Sequence, residues 1–74
     1  MKYELINKTT NYLGKTLYRI KALKSFSNVT KGDLGGYVQS DKNLSQIGNC
    51  WIYGNAKVFG KAVISGNARI FSYE

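Results

Sequence analysis

From residue 48 onward the apolar positions recur every six residues, and within each six they stand two apart. Cys50, Ala56, Ala62 and Ala68 form one column, and Ile52, Val58, Ile64 and Ile70 form another. A helix returns its apolar residues at spacings of three and four, so this pattern predicts short strands instead. Side chains alternate along a strand, which turns both columns to one side and sends Trp51, Tyr53, Lys57, Phe59, Arg69 and Phe71 to the other. Gly48, Gly54, Gly60 and Gly66 are followed by Asn49, Asn55, Lys61 and Asn67. Gly and Asn tolerate left-handed backbone, so these pairs read as corners. Strand and corner on one short period make a β-solenoid pattern, in which the small column lets the wall bend and the aliphatic column fills the axis.

Upstream the pattern changes. "TLYRIKAL", Thr16 to Leu23, alternates and is rich in strand formers; Lys2 to Ile6 is a shorter candidate, and Asn11 to Lys15, containing Gly14, is the turn region between them. With Tyr18, Ile20 and Ala22 inward, Arg19 and Lys21 form a basic outer face. These strands are expected to cap the first coil, because a solenoid end exposes unpaired backbone. Ser25 to Lys31 reads as a loop, and Gly35-Gly36 as a turn needing positive φ. The expected fold is all-β: a short capped β-solenoid forming one domain, residues 1–74, with a β cap over 1–31 and coils over 32–74.

The runs "GDLGGYV" (Gly32 to Val38) and "NLSQIGNCWIYGNAKVFG" (Asn43 to Gly60), followed by the Ala-x-Ile units to Ile70, resemble the hexapeptide-type β-solenoids and, within them, the YdcK-type repeat family of bacterial and prophage proteins. The resemblance implies about three hexads per coil, so that residues eighteen apart stack on neighbouring coils at roughly 4.8 Å. Trp51 then lies beside Arg69, and Tyr53 beside Phe71, gathering these four residues on one outer face. The face is either a brace for a short solenoid or a partner-binding patch, since Trp, Tyr and Arg also anchor interfaces. Solenoid enzymes of this type are mostly acyltransferases, for which the resemblance implies a histidine base and many more coils.

Composition narrows the chemistry. The chain has 74 residues and no histidine, and Glu4, Asp33, Asp41 and Glu74 are scattered along it, so neither the usual base near neutral pH nor a carboxylate pair is present. Cys50, the single cysteine, occupies an inward column and is expected to be a buried, inert thiol. "GDLGG" lacks the Lys-Ser/Thr ending of a phosphate loop and reads as a turn. No catalytic residue, metal site or cofactor is expected. The net charge of +7 favours anionic partners, although solubility alone also accounts for it. Much of it is N-terminal, and Lys15, Arg19, Lys21 and Lys24 are the candidates for meeting nucleic acid or an acidic partner.

Residues 1–8 contain no apolar run of a signal peptide, and no stretch is apolar for long enough to span a bilayer, so a cytoplasmic location without membrane contact is expected, in a host cell if the chain is phage-encoded. The leading functional expectation is a non-enzymatic binding protein that occludes a host protein or nucleoprotein. A counter-defence inhibitor such as an anti-CRISPR protein is one concrete form, drawn from the prophage resemblance. A nucleic-acid-binding accessory protein and a structural oligomerisation module are the alternatives. Ala68, Ile70 and Tyr73 mark an apolar strand edge from which self-association is expected, as a dimer first and a trimer second.

Overall fold

Tyr12-Leu13-Gly14-Lys15 closes the longest element of the chain, a hairpin of β1 (Tyr3–Tyr12) and β2 (Lys15–Ala22). Leu13 and Gly14 both have positive φ, 52° and 77°, the two-residue turn whose twist matches the flanking strands. β1 is twice the expected length because its polar second half, Asn7 to Tyr12, pairs with β2. The three residues Ile6 to Lys8 stand opposite Arg19 alone, a bulge that bends the ribbon. The computed structural model describes residues 1–71 and is all-β apart from a short 3-10 turn, Asp41–Asn43. No helix among these residues is long and apolar enough to cross a membrane.

The remaining strands are β3 (Leu34–Val38), β4 (Trp51–Ile52), β5 (Lys57–Val58) and β6 (Arg69–Ile70). They form a mixed sheet in the order β1-β2-β3-β5 and a two-stranded parallel sheet of β4 and β6. β2 and β3 run antiparallel, whereas β3 and β5 run parallel. No sheet closes into a barrel among the described residues.

Parallel pairing brings Trp51 against Arg69 and Ile52 against Ile70, eighteen residues apart, but Tyr37 pairs with Lys57, Val38 with Val58 and Leu44 with Ile64, twenty apart. The difference lies in Ser45 to Cys50, six residues that match the four from Ser65 to Ala68. The longer connection reaches the N-terminus. Gln46 Oε1 accepts from the backbone N–H groups of Lys2 (2.8 Å) and Tyr3 (3.2 Å), and its amide donates to the Tyr3 carbonyl (3.3 Å).

Gly54, Gly60 and Gly66 turn the corners with φ of 60–65°, while no asparagine shares the left-handed conformation. Gly35 and Gly36 depart from their expected role: they lie inside β3, buried and without positive φ. Glycine is needed there for close approach. A Cβ on Gly35 would stand 2.6 Å from the Ile52 carbonyl oxygen, and one on Gly36 would collide with Ile52 and the Ala56 carbonyl. The inward columns are buried at Cys50, Ile52, Ala56 and Val58, whereas Ala62 and Ala68 are exposed and Ile64 and Ile70 half-buried.

Tyr3, Ile20, Ala22, Val29, Val38, Leu44 and Trp51 complete the core. The Tyr3 phenol sits deep within it, donating to the carbonyls of Leu44 and Asp41. Burial first, and the charges of Asp41 and Cys50 after it, push its pKa from 10.0 up to about 12. The folded chain therefore keeps this proton where the unfolded chain has lost it. The resulting stability, on the order of 2 kcal/mol, is full below pH 10 and is lost as the pH rises through about 12. Tyr3→Phe cannot ionise, so its stability deficit against wild type, measured by urea unfolding, is expected to narrow steadily between pH 9.5 and 12.

Candidate functional site

β2 alternates two environments. Ile20 and Ala22 enter the core, and the opposite side presents Lys15, Leu17, Arg19 and Lys21. Strand register carries that outer face onward, because Arg19 pairs with Tyr37 and Tyr37 with Lys57, making a row across three strands. The Arg19 guanidinium carbon lies 4.9 Å from the Tyr37 ring centre. Its Nη1 donates to the Tyr37 hydroxyl (2.7 Å) and to Asn55 Oδ1 (3.4 Å), and its Nη2 to the Gly54 carbonyl (3.3 Å). These acceptors are all neutral, and the buried Arg19 Nε has no hydrogen-bond partner among the described residues.

Lys57 extends the row. Its ammonium is 5.5 Å from the Tyr12 ring centre and 6.0 Å from that of Tyr37, and it donates to the Asn55 carbonyl. Tyr12 packs against Phe59 at 5.6 Å with its ring tilted by 46°. Leu17, fully buried and outside the main core cluster, alternates to this same side of β2. The face thus alternates cations with aromatic rings. Such contacts each stabilise by about 0.5–1 kcal/mol at exposed sites, and the acceptors described for Arg19 and Lys57 are all neutral.

Lys21 shares the face but stands opposite Glu4, and Lys15 lies opposite Tyr12. Lys24 lies apart from them: it is exposed on a groove of about 430 Å³ together with Lys2, Phe26 and Gln46. Another groove, of about 400 Å³, is lined by Tyr3, Glu4, Asp41 and Gln46. Lys2, one of the N-terminal lysines, is itself buried. Its ammonium donates to the carbonyls of Cys50 (2.8 Å) and Gly48 (3.2 Å), lies 3.3 Å from Cys50 Sγ and sits over the Phe26 ring.

The expected aromatic patch divides in two. Tyr53 stacks on Phe71 at 4.6 Å and 12°, its hydroxyl donates to Asn28 Oδ1 (2.7 Å), and Arg69 donates to Ser27 Oγ (2.9 Å). These three residues share a surface beside the Ser25–Lys31 segment. Trp51 does not join them. It is only 2% exposed, with Phe26 and Tyr3 edge-on to it at 5.3 and 6.3 Å, so it is a core residue and offers a partner nothing. At the edge Ala68 is exposed and Ile70 half-buried, while Tyr73 lies outside the described residues.

Sequence reasoning missed the succession of contacts that runs from Arg19 to Tyr37, on to Lys57 and from there to Tyr12 and Phe59. The twenty-residue register that assembles them depends on a connection whose length departs from the repeat. Among the described residues no group of three or more His, Cys, Asp or Glu side chains is gathered to hold a metal.

No protein-family model matches the chain. Over 55 residues, 73% of its length, it is 51% identical to an Escherichia coli (strain K12) protein described as the uncharacterized acetyltransferase YdcK. The chain spans only 17% of that protein.

Proposed function

We propose that the chain is a short YdcK-like β-solenoid, capped by its N-terminal hairpin, that works as a non-enzymatic binding protein. Parallel pairing at eighteen and twenty residues and the similarity to YdcK support the solenoid reading. The observation that carries the binding role is the row Arg19–Tyr37–Lys57, in which charges are held by aromatic rings and neutral acceptors and remain available at the surface. The YdcK name mentions acetyl transfer, but this chain covers a small part of that protein and has no histidine, so the shared segment is read as scaffold. The partner is a host protein or nucleoprotein, and occlusion of it, as by a counter-defence inhibitor, is the mode of action that suits so small a chain.

The test is capture of a defined partner from bacterial lysate, followed by titration of the purified pair. Lys57→Ala is expected to weaken that pair at least five-fold while leaving the melting temperature within a few degrees. Transfer of an acetyl group from acetyl-coenzyme A by the purified chain, surviving Cys50→Ala, would sink the non-enzymatic reading.

A structural oligomerisation role is favoured by a separate observation. Ala62, Val63 (64% exposed), Ala68 and Phe71 are exposed, and among the described residues β6 pairs with β4 alone. Such an edge recruits another strand. Sedimentation at high micromolar concentration is expected to show a dimer, with a trimer as the next closed form. A monomer under those conditions argues against it.

A further inference from the structure

Building on that binding-protein reading, we propose that the outer face of the β1-β2-β3-β5 sheet binds single-stranded nucleic acid without sequence preference. Lys15, Arg19 and Lys57 meet phosphates, and the Tyr12–Phe59 pair receives a base. The argument begins with charge. Lys15 and Arg19 project from one side of β2, Lys57 extends the same surface two strands away, and the described acceptors of Arg19 and Lys57 are neutral. Lys21 stands opposite Glu4 and adds least.

Dimensions agree with a strand-like ligand. At roughly 3.4 Å per residue the Lys15-to-Lys21 side of β2 runs about 20 Å, enough for about six stacked nucleotides, or fewer if the ligand is extended. A ladder of cations at this scale neutralises successive phosphates and releases their counterions.

The rings decide between polyanions. An acidic peptide or a duplex would engage the cations and leave Tyr12, 42% exposed and tilted by 46° against Phe59, without a role. An unpaired base has a free π-face that stacks on such a ring, whatever its identity. The Tyr37 ring carries two cations, Arg19 at 4.9 Å and Lys57 at 6.0 Å, and holds them in place, whereas the Tyr12 ring carries Lys57 alone, at 5.5 Å, and stays 42% exposed. Leu34, also 41% exposed, stands opposite Lys21 and supplies apolar surface at the far end.

The experiment is fluorescence anisotropy of the full chain with labelled dT20, rU20 and a 20-base-pair duplex across a salt series. The expected result is binding to both single strands, with a slope of log K against log salt near −2, from about three phosphate contacts at −0.7 each. Lys57→Ala should make the slope shallower by about 0.7. Tyr12→Ala should weaken binding at least five-fold at every salt concentration with the slope unchanged, and Lys15→Gln serves as the charge variant if Lys57→Ala unfolds. Tighter binding to the duplex, or an unchanged affinity in Tyr12→Ala, overturns the proposal. So does binding to polyglutamate with no binding to dT20 at 20 mM salt. A partner captured from nuclease-treated lysate in that last case would leave the binding-protein reading standing while this inference falls.

Discussion

Trp51→Ala is expected to remove about 3–5 kcal/mol of stability, enough to leave much of the chain unfolded at 37 °C. The indole is 2% exposed, and the edges of Tyr3 and Phe26 meet it from the N-terminal segment and the 25–31 loop. Removing it leaves a cavity where β4, the hairpin and that loop converge, and a domain of this size has only about 5–10 kcal/mol in total. Urea unfolding monitored by circular dichroism measures the loss. Phe26→Ala provides an independent reading: it uncovers the indole, and because Trp51 is the single tryptophan its emission is expected to shift to the red while the chain stays folded. A Trp51→Ala loss below 1 kcal/mol, or unchanged emission in Phe26→Ala, would show that the tryptophan is not the joint between these segments.

Asn43→Ala is the second large effect, expected to destabilise by at least 3 kcal/mol. The side chain is 1% exposed and uses its hydrogen-bonding capacity in two directions. Oδ1 accepts from the backbone N–H groups of Gln39 (3.1 Å) and Ser40 (3.0 Å), closing the turn that leaves β3. Nδ2 donates to the carbonyls of Gly60 (3.2 Å) and Ala62 (2.8 Å) in the segment that follows β5. Alanine strands three backbone groups, the Ser40 N–H and the Gly60 and Ala62 carbonyls, while the Gln39 N–H keeps the Val58 carbonyl (3.2 Å); each stranded group costs about 1–3 kcal/mol when left buried and unsatisfied, with partial relief where water enters. Asn43→Asp retains the acceptor side but sets a carboxylate against two carbonyl oxygens, so it too is expected to fail at neutral pH. An Asn43→Ala melting temperature within a few degrees of wild type would show that water replaces the amide.

Much of this architecture follows from local pattern. The six-residue period specified strands instead of helices, placed the bends at glycine and turned Cys50, Ile52, Ala56 and Val58 inward, while Tyr53 beside Phe71 followed from the coil length that the family resemblance implies. The strands, bends and inward columns depend on side-chain alternation and on glycine's backbone freedom, which act within a few residues. The polar half of β1 was not legible in this way, because Asn7 to Tyr12 extends only once β2 supplies its hydrogen-bond partners.

Other features required the folded chain. Trp51 alternates outward along its strand, yet Phe26, twenty-five residues earlier, folds over it. Lys2 belongs to the N-terminal charge in the sequence, but in the fold its ammonium is buried and donates to the carbonyls of Gly48 and Cys50. Gly35 and Gly36 look like a turn, but the backbone of residues 52–56 comes too close for any side chain. Arg19, Tyr37 and Lys57 align because two additional residues between Leu44 and Trp51 give this part of the fold a register different from that of β4 and β6. Alternation says which way a side chain points from its own strand. What it meets there depends on connection lengths and on segments distant in sequence, and these acquire a geometry only when the sheets form and the core closes.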